Sequence, residues 1–138
     1  MILSQNEEIR LVLLSEYYES LFGENPVNEY KIKQLESIND NIISANLIWL
    51  IDHHLLEGTI EATGAGHIPF VSRISGHGMD VIETMVRELS DKVDPKISND
   101  IKEKQSMMDK SILFIDLCIK VTQLSGIVAQ YASKVFGH

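Results

Sequence analysis

The sequence predicts a mainly α-helical fold with one small β-hairpin, and three observations predict it. Apolar residues recur at helical spacing over residues 4–53. The pattern shortens to strand-like alternation over 55–75 and returns to helical spacing afterwards. A chain of 138 residues, 44% hydrophobic and 23% charged, is most simply one domain with a real core, with room for an appended helix.

The first helix has a clear start. Ser4 and Glu7 stand at capping-box spacing, and Glu8 adds negative charge at the positive end of the helix dipole. Ile9, Leu13, Tyr17 and Leu21 form one stripe, widened by Leu14 and Tyr18. Phe22-Gly23 ends it, and Asn25-Pro26 makes a turn. A short second helix starts at the Asn28 cap and runs through EYKIKQLE, with Ile32 and Leu35 inward. After the break SIND, a third helix covers roughly 41–53, with Ile43, Leu47, Leu50 and Ile51 on its inner face.

Then the period changes. LLEGTIEA reads as a strand, TGAGHIP as a glycine-rich turn and FVSRIS as a second strand. Leu56 and Ile60 alternate with polar neighbours, as do Phe70 and Ile74, which predicts a hairpin with one buried face. Ser75 caps a fourth helix, GHGMDVIETMVRELS, whose Met79, Ile82 and Met85 or Val86 point inward.

Past the linker DKVDP, a helical pattern runs over 97–136. Unbroken, it would reach about 60 Å, although Ser125-Gly126 offers a place to kink or split it into a pair. Between Ile112 and Val121 it is apolar almost all round, so something must cover it. A second copy is the natural cover. That predicts a homodimer through Ile112, Ile115, Ile119, Leu124, Val128 and Tyr131.

Two segments carry a resemblance. NLIWLIDHHLLEGTI resembles a winged-helix recognition helix passing into the first wing strand, and ISGHGMDVIE resembles that family's return from wing to helix. Both look most like the small prokaryotic and phage winged-helix proteins of the YjcQ type, over roughly residues 5 to 90. The resemblance implies a winged helix-turn-helix domain at 1–92, followed by a C-terminal helical extension at 93–138 that dimerises. It also implies duplex DNA binding through the third helix and wing, although many members of the superfamily have turned to protein contacts. Fold alone does not decide between them.

Charge divides the two functions. The net charge is −8, which opposes free association with nucleic acid. Residues 1–30 carry one basic and six acidic groups, while 96–138 carry six basic and four acidic. For DNA, the third helix offers Asn39, Asn41 and Ser44 to base edges, with Asp40, Ala45 and Ile48 beside them. Lys31, Lys33 and Arg73 would contact phosphates, and the wing tip from Gly64 to His67 would lie along the minor groove or backbone. Yet no Lys or Arg occurs between Gln34 and Ser72. The resemblance makes a homodimeric DNA-binding transcriptional regulator the first expectation; the basic-poor third helix favours the alternative, a protein-interaction module, such as an adaptor or a phage or mobile-element inhibitor, whose acidic surface docks a basic partner.

No enzyme constellation stands out. His53 and His54 are adjacent and diverge by about 100° on a helix, so they do not share a face as a metal-binding pair must. His54 falls where the resembled pattern carries Gly after the helix, and histidine tolerates the left-handed conformation such a cap needs. His67 and His77 lack any supporting CxxC or HExxH. The glycines of TGAGHIPF join strands and lack the phosphate-loop pattern, and Ser75 lacks a nucleophile elbow. Trp49 and the two adjacent tyrosines read as core or interface. The lone Cys118, on an apolar face, forms no internal disulfide and suits a reducing cytoplasm. No stretch is long and apolar enough to span a membrane, and the N-terminal residues do not resemble a signal peptide. No cofactor is expected.

Overall fold

The computed structural model describes residues 4–23, 26–92 and 134–136. Helix α1 (Gln5–Ser20) begins as its cap predicts: Ser4 Oγ accepts from the Glu7 N–H at 3.2 Å, and the Ser4 N–H donates to Glu7 Oε1 at 3.1 Å. It is buried round most of its circumference, because Leu11, Val12, Leu13 and Leu14 are consecutive and need cover on every side. Helices α2 (Asp40–Asp52) and α3 (Gly76–Lys92) supply that cover. Leu21 does not extend the buried stripe. The helix has already ended at Ser20, and Leu21 is 39% exposed.

The expected second helix is instead two 3₁₀ turns, Glu29–Lys31 and Lys33–Leu35. Between them Ile32 is extended, at φ −70° and ψ 125°, which breaks an α-helical run. Both Ile32 and Leu35 are buried as expected, so the apolar contacts hold while the backbone path differs.

Helix α2 starts where Asn39 accepts from the Asn41 N–H at 2.8 Å. It closes in a Schellman motif. The His54 N–H donates to the Ile51 carbonyl at 3.0 Å and the Leu55 N–H to the Leu50 carbonyl at 2.9 Å. His54 takes the left-handed position, at φ 60°. Burial of Leu50 and Leu55 supplies the apolar contact that such caps carry.

Strands β1 (Leu56–Thr63) and β2 (Gly66–Ile74) form an antiparallel hairpin. Pairing continues to Thr63 opposite Gly66, so the turn is only Gly64-Ala65, shorter than the glycine-rich stretch suggested. Gly66, at φ 108°, occupies a conformation that favours glycine.

One alternation is reversed. Glu57 pairs with Arg73 but Gly58 pairs with Val71, which leaves Ser72 as an extra residue and makes a β-bulge. Past the bulge every β2 side chain changes face. Pro69 is buried and Val71 half-buried, whereas Phe70, expected inside, is 52% exposed. Gly58 lies where the strands approach closely: a Cβ there would meet the Phe70 carbonyl and sit 2.9 Å from Val71 Cα.

Ser75 links the hairpin to α3. Its hydroxyl accepts from the Gly78 N–H at 2.9 Å and donates to the His54 carbonyl at 2.6 Å, while its N–H donates to the Leu55 carbonyl at 3.1 Å. Val81, Ile82 and Met85 then close the core over α1, with Met79 half-buried.

The dimerisation residues Ile112, Ile115, Ile119, Leu124, Val128 and Tyr131, and Cys118, lie outside the described residues, as does the question of one tail helix or two. Residues 134–136 are helical, and Phe136 is fully buried in the same core as α1 and α2. No helix among the described residues is long and apolar enough to cross a membrane.

Candidate functional site

The surface singled out by the sequence consists of the start of α2, the 3₁₀ turns before it and the hairpin. Lys31 and Lys33 are exposed on those turns. Tyr30 joins them to α2, its hydroxyl 2.8 Å from Ser44 Oγ. Asn39 and Asn41 are exposed there too, but Asn39 Oδ1 is engaged by the helix cap and the Ser44 hydroxyl by Tyr30. The structure therefore brings Lys31, Asn39, Asn41 and Ser44 to one end of α2.

The remaining residues lie along the hairpin. Gly64 and His67 are exposed at its tip, and Arg73 at its base, separated by roughly 20 Å of strand. Arg73 is not a free cation. Its Nε lies 3.3 Å from Glu57 Oε2, its register partner, and donates to the Ile74 carbonyl at 3.1 Å. Both side chains are about half exposed, so the pair adds little stability, but it neutralises the one arginine of the hairpin.

Around them the field is acidic. Glu36, Asp40, Asp52, Glu57 and Glu61 are all exposed. Two large apolar side chains, Ile68 and Phe70, are also exposed on β2, at 37% and 52%. Sequence reading missed this pair because only the bulge turns it outward.

A cleft of about 500 Å³ opens between the end of α2 and the start of β1, with Asp52, His54, Glu57 and Ser75 as its polar lining. The Ser75 hydroxyl is already engaged by Gly78 and His54, which makes it a junction between elements. Among the described residues, no group of three or more His, Cys, Asp or Glu side chains could hold a metal ion.

A second cluster joins α1, α2 and the C-terminal residues. Arg10 is buried, with Nε donating to Asn46 Oδ1 at 2.8 Å and Nη1 donating to the Phe136 carbonyl. Its guanidinium carbon lies 4.0 Å from the centre of the Trp49 ring, a cation–π contact. Burial lowers the Arg10 pKa, and the nearby Glu7 carboxylate opposes that shift. Trp49 stacks on His53 at 3.7 Å and meets Phe136 edge-on at 6.1 Å. Asn46 extends the network through its amide, which donates to Asn6 at 3.1 Å and to the Ile42 carbonyl at 2.9 Å. Helical spacing marks Trp49 and His53 as neighbours, but no local signal joins Phe136 to Arg10.

No family model matches the chain, and no significant match occurs among curated proteins or solved structures.

Proposed function

We propose that this chain is a non-enzymatic winged-helix module that docks a basic protein partner through α2 and the hairpin. The order of elements supports the winged-helix reading: two helical segments and α2, then a hairpin, then α3. One observation carries the docking reading. From Gln34 to Arg73 the chain exposes five carboxylates and a single cation, and that cation is paired with Glu57. Duplex binding depends on neutralising phosphates, and this surface repels them. A cationic protein surface, by contrast, would find the exposed Ile68 and Phe70 with Glu61, the register partner of Ile68, beside them. The lone cysteine goes with a cytoplasmic setting.

A fluorescence-polarisation titration against duplex DNA across salt, run beside affinity capture, tests this. Duplex binding should stay weak even at low salt. A basic partner should be retained by the wild type and lost from the Glu57→Gln/Glu61→Gln variant. Tight, salt-dependent duplex binding would overturn the proposal.

A second reading is favoured by Lys31 and Lys33, exposed beside the start of α2. In it the chain is a homodimeric DNA-binding regulator, with these lysines on phosphates, Asn41 at the bases and the 93–138 tail as dimer interface. Lys31→Glu/Lys33→Glu should then abolish duplex binding; unaltered affinity would sink this assignment. A clean monomer in light scattering at micromolar concentration would remove the dimer.

A further inference from the structure

We propose that the outer edge of β1 takes up, as a third strand, an extended segment of a protein partner carrying two cationic side chains four residues apart. The inference rests on the docking reading above and names the form of the partner.

The hairpin ladder fixes which backbone groups face outward. A two-residue turn makes Thr63 and Gly66 a mutually hydrogen-bonded pair, and such pairs alternate with unbonded ones along an antiparallel ladder. Ile60 and Pro69 are then an unbonded pair, which suits a proline that has no N–H to give. The N–H and carbonyl groups of Gly58, Ile60 and Ala62 therefore point away from β2. Among the described residues no backbone hydrogen bond from outside the hairpin reaches them, and Gly58, Thr59, Glu61 and Ala62 are exposed.

The two edges of the hairpin differ. Along β2 the outward groups are interrupted by Pro69 and by the bulge at Ser72, both of which block pairing with a further strand. From Glu57 to Thr63, β1 carries neither proline nor lysine, and its Thr59, Ile60 and Thr63 favour extended backbone. Only the β1 edge is left competent to pair.

Side chains along β1 select the occupant. Glu57, Thr59 and Glu61 share one face of the strand by alternation. A second copy pairing antiparallel about Thr59 would set Glu57 opposite Glu61 twice, and like charges directly opposite destabilise a sheet. A strand with cations four residues apart sets one beside Glu61 and the other beside Glu57, which is about half exposed next to Arg73. Main-chain bonds to Gly58, Ile60 and Ala62 then supply affinity, and the carboxylate spacing supplies selectivity.

The test titrates the full chain by calorimetry with the capped peptide Thr-Arg-Val-Thr-Val-Arg-Thr. Controls are Thr-Arg-Val-Thr-Arg-Val-Thr, of equal charge but with its arginines on opposite faces, and the first peptide N-methylated at both valines. Saturable binding is expected for the first peptide, weakened about tenfold or more for either control, as loss of a charge-assisted contact or of strand hydrogen bonds requires. Ala62→Pro, which removes an outward N–H, and Glu57→Gln/Glu61→Gln should each weaken binding similarly with helical circular dichroism retained. Hydrogen exchange at the Ile60 and Ala62 amides should slow in the complex. Equal binding of the two arginine spacings would reduce the contact to general charge attraction and overturn the proposal, as would unchanged exchange at both amides or no peptide binding at all. Failure of the docking reading shows separately, as tight, salt-dependent duplex binding.

Discussion

His54 holds a left-handed backbone conformation, φ 60°, and its carbonyl accepts a 2.6 Å hydrogen bond from the Ser75 hydroxyl. The end of α2 and the start of α3 are thereby joined across the hairpin they flank. The left-handed geometry is strained for a residue with a Cβ, typically by about 1–3 kcal/mol. His54→Gly should relieve that strain, less the entropy glycine loses, and stabilise the domain by up to about 1 kcal/mol. His54→Val should lower stability by about 1–2 kcal/mol, since a β-branched residue fits this region worst. Thermal unfolding of the two variants decides it; equal midpoints would contradict the Schellman geometry.

Ser75 is the other half of the junction. Removing its hydroxyl takes away a helix cap and leaves the His54 carbonyl without that donor. Ser75→Ala should cost about 1–3 kcal/mol in urea unfolding. Gly78, one turn into α3, tolerates no side chain. A Cβ there would meet the Leu55 carbonyl and come within 2.7 Å of Ile74 Cγ1. Gly78→Ala should destabilise at least as strongly as Ser75→Ala, about 1–3 kcal/mol by overpacking.

The bulge at Ser72 makes its own prediction. With Phe70 half exposed, Phe70→Ser should change stability by less than about 0.5 kcal/mol, as exposed substitutions do. A hairpin without the bulge would bury Phe70, and truncating it would then cost about 3–5 kcal/mol. Ile74→Ala, on the core side of the bulge, should cost about 2–5 kcal/mol. If the docking proposal holds, Phe70→Ser should also weaken partner capture while leaving unfolding unchanged.

Tyr17 gives a pH dependence. It is buried and donates its hydroxyl to the Glu29 carboxylate, and burial followed by that hydrogen bond pushes its pKa well above the ordinary value of 10.0. A folded-state pKa raised above the unfolded value favours the fold at neutral pH. That stability is lost as pH climbs past 10, where the unfolded chain ionises and the folded one resists. Tyr17→Phe should cost about 1.5–3 kcal/mol at neutral pH, and the difference from wild type should narrow above pH 10. Denaturant titrations at the two pH values measure both.

Local signals in the sequence were sufficient for the starts of α1, α2 and α3 and for the presence of the hairpin. Ser4 with Glu7, Asn39, Ser75 and the left-handed His54 are all contacts within a few residues, where side-chain chemistry acts directly on the neighbouring backbone. The change from helical to alternating period likewise located the hairpin. The 3₁₀ turns were only half legible, because Ile32 and Leu35 show that they face inward but not how the backbone carries them there.

Tertiary structure decided the site. One extra residue at Ser72 exchanged the two faces of β2 and put Phe70 in solvent, an effect invisible to a pattern of alternation. Pairing of Glu57 with Arg73 removed a cation that the sequence had offered to phosphate. Arg10 and Phe136 lie 126 residues apart, and only the fold gives the buried cation that carbonyl as an acceptor. Sequence alone determined α1, α2, α3 and the hairpin, whose causes are local, but not the 3₁₀ path that joins α1 to α2. Which surface is acidic, apolar or sealed depends on partners brought from far along the chain, and only the folded chain chose them.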